Sequence, residues 1–288
     1  MKLIDIEELE NATPLFRGRC GNHFARTLMR CLSIDKANDL YERNEAFEGP
    51  DFADAVLKDI GVDYMIGNPE RLASLPHGPF ITVSNHPYGS IDGIMLVDLF
   101  GHIRPEFKVL VNKFLARIQA LSPNFITVIP TGKERTAANR ESIMGIKAAM
   151  RQLTDGLPLG LFPSGAVSDL SIKERCIRDR EWQEAVIRLI RKAGVPVVPV
   201  RFFDRNSNFY YSLGLIDWKV RLLRLPGELF NKRGVKTRIG IGETISVESQ
   251  LDQKTTDGLR SLLRKSVYEM PMPERFISRS ELQLPQAF

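Results

Sequence analysis

The chain has 288 residues, 43% hydrophobic and 26% charged, with a formal charge of +5. That is the balance of a globular protein with one sizeable core, and its mild basic excess fits an anionic membrane surface or an acidic donor molecule; no nucleic-acid partner is expected. Cys20, Cys31 and Cys176 lack paired spacing, and His23, His77, His86 and His102 lack helical ligand spacing, so a disulfide framework is excluded and neither metal nor cofactor is expected.

Residues 1–64 predict a helical segment, because apolar residues recur at three and four spacings, as in Phe24, Leu28, Leu32 and Phe52, Val56, Ile60. From residue 65 to 288 the pattern is that of an α/β domain. Short β-rich runs at 79–84, 107–111, 125–129, 158–162 and 196–202 alternate with helical runs at 91–103, 113–121, 139–154 and 181–193. Such alternation predicts a largely parallel, mixed sheet flanked by helices. Residues 203–248 read as less regular, with RIGIGETI as a strand, and 250–268 read as a closing helix. No run has the length of a transmembrane helix, and the start, MKLIDIEELENATP, is acidic without an apolar signal core. The expectation is a cytoplasmic protein, peripheral on the inner face of the cell membrane.

One stretch concentrates the chemistry. Residues 81–92, ITVSNHPYGSID, deliver Asn85 and His86 from a β-branched run into a loop that Pro87 and Gly89 can reverse, with Asp92 opening the next helix. An imidazole needs a fixed tautomer to act as base, and a carboxylate on its other ring nitrogen supplies one. The residues alone also allow a plainer role, with Asp92 serving the start of the helix.

This stretch resembles the first motif, N-H-x-x-x-x-x-D, of the glycerolipid acyltransferases. Three further blocks follow in that family's order: FITVIP at 125–130, LFPSGAVS at 161–168 and VPVVPV at 195–200. The resemblance implies His86 as the base and Asp92 as its orienting partner. The acceptor would be a lyso-lipid hydroxyl, and the donor a fatty acyl thioester on acyl carrier protein or coenzyme A. Backbone amides at Ser164 and Gly165 are candidate oxyanion donors. Asn85 and Asn139 are candidate substrate contacts, although Asn139 also reads as an ordinary helix cap. Ser168 and Asp169 read as turn chemistry, and Arg178, Asp179 and Arg180 as a salt-linked surface.

The departures from the family pattern bear on the acceptor. The second block ends without an Arg, and the third has Ser164, Ala166 and Val167 where the family offers Glu, Thr and Arg. Arg is the natural bidentate ligand of a phosphate. Arg135, Arg140 or Lys133 could stand in for it. The pattern is closer to a bacterial, hemolysin-like branch that includes O-acyltransferases of amino-acid lipids, which esterify the 3-hydroxyl of an N-acyl amino acid such as a glycine or ornithine lipid. The alternatives are a 1-acylglycerol-3-phosphate acyltransferase, a thioesterase, and a non-catalytic lipid-binding protein on the same fold. Segment 218–238, with Lys219, Arg221, Arg224, Lys232, Arg233, Lys236 and Arg238 among Leu and Phe, predicts a basic membrane-docking surface.

Overall fold

The computed structural model describes residues 3–5, 7, 10, 16–129 and 138–284, the side chains of 138–141 excepted. Three helices, α1 (Gly18–Cys31), α2 (Ile34–Asn44) and α3 (Gly49–Asp59), lead into the sheet. Its central strands are β2 (Ile81–Ser84), β3 (Lys108–Asn112), β4 (Phe125–Val128), β5 (Leu159–Leu161) and β8 (Val197–Phe202). They are all parallel and lie in the order β8-β2-β5-β3-β4. Beyond β8 come β9 (Arg238–Ile241), β1 (Met65–Gly67) and β10 (Phe276–Ser278), so the full eight-stranded order is β10-β1-β9-β8-β2-β5-β3-β4. β9 is antiparallel to β8, and β10 to β1. A hairpin of β6 (Asp169–Ser171) and β7 (Cys176–Arg178) stands apart.

Strands covered on both faces are buried at every position, which is why VVPV reads as a continuous apolar run and why Thr82 and Ser84 of ITVS are as buried as Ile81 and Val83. One face of the sheet packs on α2, α3 and α4 (Ile91–Ile103), through Tyr41, Phe52, Val56, Met95 and Leu99. The other packs on α5 (Ala138–Thr154), α6 (Glu184–Ala193) and α11 (Thr256–Tyr268), through Leu153, Ile187, Ile190, Leu259 and Leu263. Helices α2 and α3 therefore share the core of the sheet. Within that core Asp98 of α4 accepts from Tyr64 Oη at 2.6 Å and from both arms of Arg279 at 2.9 and 3.0 Å, fastening the β10 region to α4.

Two expectations need correction. Residues 113–121 form no α-helix; they fold as 3-10 turns, Lys113–Arg117 and Gln119–Asn124, the first capped by Asn112 and the second containing Pro123. Residues 203–237 are more regular than expected. They hold α7 (Asn208–Ile216), α8 (Trp218–Leu223) and α9 (Leu225–Phe230), a run broken into pieces by the caps Ser207 and Asp217 and by Pro226. These helices and the β6–β7 hairpin enclose a small separate core around Val167, Tyr210 and Tyr211. Helix α10 (Val247–Leu251) precedes α11.

The basic segment 218–238 is also partly internal. Arg221 is buried, pairs with Asp169 and donates to Ser168 O at 3.0 Å. Lys232 is buried 3.6 Å from Glu228, and Arg238 grips Asp204 with Nε at 3.0 Å. Arg221 and Lys232 are internal and not offered to a surface, while Arg238, partly exposed, is committed to Asp204.

Candidate active site

β2 ends at Ser84 and passes directly into the loop. Asn85 is buried, and its amide is doubly committed: Nδ2 donates to Phe202 O at 2.9 Å, and Oδ1 accepts from Phe202 N–H at 2.8 Å. It braces the exit of β2 against the end of β8. Pro87 O accepts from Tyr211 Oη at 2.7 Å and Tyr88 O from Asn206 Nδ2 at 2.9 Å. The chain then reverses at Gly89, whose φ is +75° and where a Cβ would lie 2.4 Å from Val167 Cγ2. Only glycine satisfies both conditions.

That reversal brings Asp92 back to His86. Nδ1 of His86 lies 2.7 Å from Oδ2 of Asp92, and the carboxylate has no exposed surface. At this distance the buried carboxylate sits directly against the ring nitrogen and favours a proton on Nδ1. Backbone donors fix the carboxylate: Tyr88 and Gly89 N–H on Oδ2 and Gly93 N–H on Oδ1, each at 3.1 Å. With Nδ1 buried and 18% of the side chain open, Nε2 is the nitrogen turned outward. Phe162 covers the ring, centroids 4.2 Å apart. Burial works against the imidazolium, but the nearby charges of Asp92 and Asp179 outweigh it and raise the His86 pKa.

Asp179 corrects the reading of 178–180 as surface. Arg178 and Arg180 do face outward, to Glu174 and Asp169. Asp179 between them is 3% exposed. Its Oδ1 accepts from His86 N–H at 3.1 Å and from Ser168 Oγ at 2.6 Å, and its Oδ2 from Trp182 Nε1 at 3.1 Å. Ser168, expected in a turn, is also buried, and its N–H donates to His86 O at 2.9 Å. Both backbone groups of His86 are thus held by residues more than eighty positions away. Burial pushes the Asp179 carboxyl up.

The turn after β5 lies beside this pair. Ser164 Oγ donates to Ala166 O at 2.7 Å, and Gly165 N–H to Phe162 O at 2.9 Å. The Gly165 amide therefore closes the turn, and the expectation of it as an oxyanion donor is revised. Gly165 has φ +63°, and a Cβ there would meet Gln183 Nε2 at 2.1 Å, because Gln183 donates to Ser164 O at 3.1 Å. Asn139 lies in the first turn of α5, but its side chain, with that of Arg140 and with Pro130, Lys133 and Arg135, falls outside the described residues. β4 is at the far edge of the sheet, three places from β2.

A doubly anchored imidazole, aimed outward at the carboxyl edge of a parallel sheet, is the equipment of an α/β enzyme that takes a proton from a nucleophile. Residues 9–270 match the family model described as acyltransferase, and the chain belongs to that family. It is similar to two proteins called lyso-glycine lipid O-acyltransferase. The one from Bacteroides thetaiotaomicron is 26% identical over 84% of this chain and 88% of its own length. That from Phocaeicola vulgatus is 26% identical over 82% and 83%. Among solved structures, the 1-acyl-sn-glycerophosphate acyltransferase PlsC from Thermotoga maritima aligns with TM-score 0.45 and 16% identity, over 76% of this chain and 79% of that one.

Proposed function

We propose that this acyltransferase moves a fatty acyl group from a thioester, on acyl carrier protein or coenzyme A, to the hydroxyl of a lyso-glycine lipid: an N-acyl glycine whose acyl chain carries a 3-hydroxyl. The observation that carries the reading is the 2.7 Å contact between His86 Nδ1 and the buried Asp92 carboxylate. It leaves Nε2 to take the acceptor's proton as the hydroxyl oxygen attacks the thioester carbonyl. The C–S bond then breaks, and the imidazolium returns the proton to the departing thiolate. Asp92 stabilises the imidazolium between these steps.

Two observations support the acceptor. The relatives matched over most of their length bear the lyso-glycine lipid name. The second and third motif blocks lack the Arg that would grip a phosphate. The test offers purified protein acyl carrier protein and coenzyme A thioesters, each with a 3-hydroxy N-acyl glycine or with lysophosphatidate. Mass spectrometry is expected to find the diacylated glycine lipid. Consumption of lysophosphatidate alone would reassign the acceptor, and thioester hydrolysis without transfer would make the protein a thioesterase.

A further inference from the structure

Helices α7 and α8 look two ways. Inward, Tyr210 and Tyr211 are buried, Tyr211 Oη donates to Pro87 O at 2.7 Å, and Arg221 donates to Ser168 O at 3.0 Å. The helix pair is thereby bolted to the two segments that fix His86. Outward, Phe209, Ile216, Trp218 and Leu223 are exposed, by 59%, 80%, 53% and 53%, and residues 215–220 are exposed without a break. Large apolar side chains gathered in this way mark a contact surface. At the tip of the β6–β7 hairpin, which shares its core with these helices, Ile172 is 72% exposed.

The charges of this face are those of a bilayer-binding surface. Lys219 Nζ lies 5.8 Å from the Trp218 ring, and the Arg224 guanidinium lies 5.8 Å from that of Phe209. Arg205, Lys173 and Arg175 are exposed nearby. The acids there are Asp217, which caps α8, Glu174, which is paired with Arg178, and Asp169, which is paired with Arg180 and Arg221. Aromatic rings with cations alongside match the boundary between acyl chains and anionic headgroups. A two-fold contact between copies would instead set this basic rim against itself.

We propose that this crest inserts into a leaflet containing anionic phospholipid, with Trp218 as its interfacial anchor, and so holds the His86 loop against the surface where the acceptor resides. The inference rests on the lipid-acceptor reading above.

The chain's two tryptophans make the test direct, since Trp182 is fully buried and Trp218 is not. Vesicles of phosphatidylcholine and phosphatidylglycerol should shift the emission to the blue, and brominated acyl chains should quench it, less so on phosphatidylcholine alone. In Trp218→Phe the remaining emission should ignore the bromine. Ile216→Ser and Leu223→Ser should each lower vesicle partitioning roughly tenfold, while turnover of detergent-dispersed acceptor is retained. Absence of quenching in folded, active wild-type protein would overturn the proposal. So would a lipid-free dimer that the same substitutions dissociate. Quenching without any turnover of dispersed acceptor would remove the acyl-transfer reading and leave the docking surface standing.

Discussion

His86 donates its backbone N–H to the carboxylate of Asp179 at 3.1 Å, across 93 positions of sequence. The bond ties the loop that carries His86 to the segment leading into α6. Ser168 closes the figure, with its N–H on His86 O at 2.9 Å and its hydroxyl on Asp179 at 2.6 Å. The imidazole is therefore held through its own main chain as well as through its ring. An imidazole fixed in this way has little orientational freedom left to lose on binding a partner.

In the proposed reaction the ring contact sets the chemistry and the pH profile. His86→Ala should abolish transfer while leaving the protein folded, and Asp92→Asn should lower kcat about a thousandfold or more by releasing the tautomer. Only neutral His86 is a base, so kcat/KM should climb with pH and level off above a pKa higher than the ordinary value of about 6.5. The elevation comes from the carboxylates overcoming burial, so in Asp92→Asn the acid limb should move to lower pH. A pH series on wild type and variant reads both effects.

Asp179 meets the backbone N–H of His86, not its ring, so in the proposed reaction it is a positioning residue. Asp179→Asn removes a charge that raises the His86 pKa and turns an amide N–H toward either Trp182 or Ser168. The expected result is a kcat lower by roughly tenfold to a hundredfold, an acid limb displaced to lower pH, and a nearly unchanged KM for the acceptor. A purely structural carboxylate would lower the melting temperature and leave the pH profile in place.

Asn85 separates bracing from substrate contact. Asn85→Ala strips partners from the buried N–H and C=O of Phe202, which costs about 1–3 kcal/mol. Chemical denaturation should show that loss, with acceptor KM unchanged in the folded fraction. A raised KM at undiminished stability would instead assign Asn85 to the substrate.

The Asp98–Arg279 pair predicts a stability effect remote from the chemistry. Arg279→Leu leaves a buried carboxylate without its guanidinium, at a cost of about 3–5 kcal/mol. Calorimetry should show the melting temperature fall by roughly 10 °C. Changing Asp98 and Arg279 to Leu together should recover part of that loss.

The α/β alternation was legible because parallel strands with two covered faces are buried along their length and rich in aliphatic and β-branched residues, as β2, β5 and most of β8 are. The His86–Asp92 contact was legible because a turn of six residues makes it, using Pro87 and Gly89. Asp179 was hidden by its neighbours: Arg178-Asp179-Arg180 reads as solvated charge. The available signal was alternation through β7, which turns Arg178 outward and Asp179 inward, with Trp182 three positions on to donate to it. β1 and β10 were hidden for a different reason. Each has three residues, and neither acquires a pattern of its own until the other and β9 lie beside it.

That last arrangement sets an order of assembly. The five parallel strands are complete once residue 202 has been made, and they can close around α4, α5 and α6 while synthesis continues. β1 is synthesised before any of them, yet both of its neighbours belong to the final fifty-one residues, β9 from Arg238 and β10 to Ser278. On the ribosome it must wait as an unpaired edge, beside helices already able to pack, until the C-terminal strands arrive to enclose it. Ribosome-bound chains stalled before residue 238 should therefore leave Met65–Gly67 open to proteolysis, however well the rest of the sheet has formed.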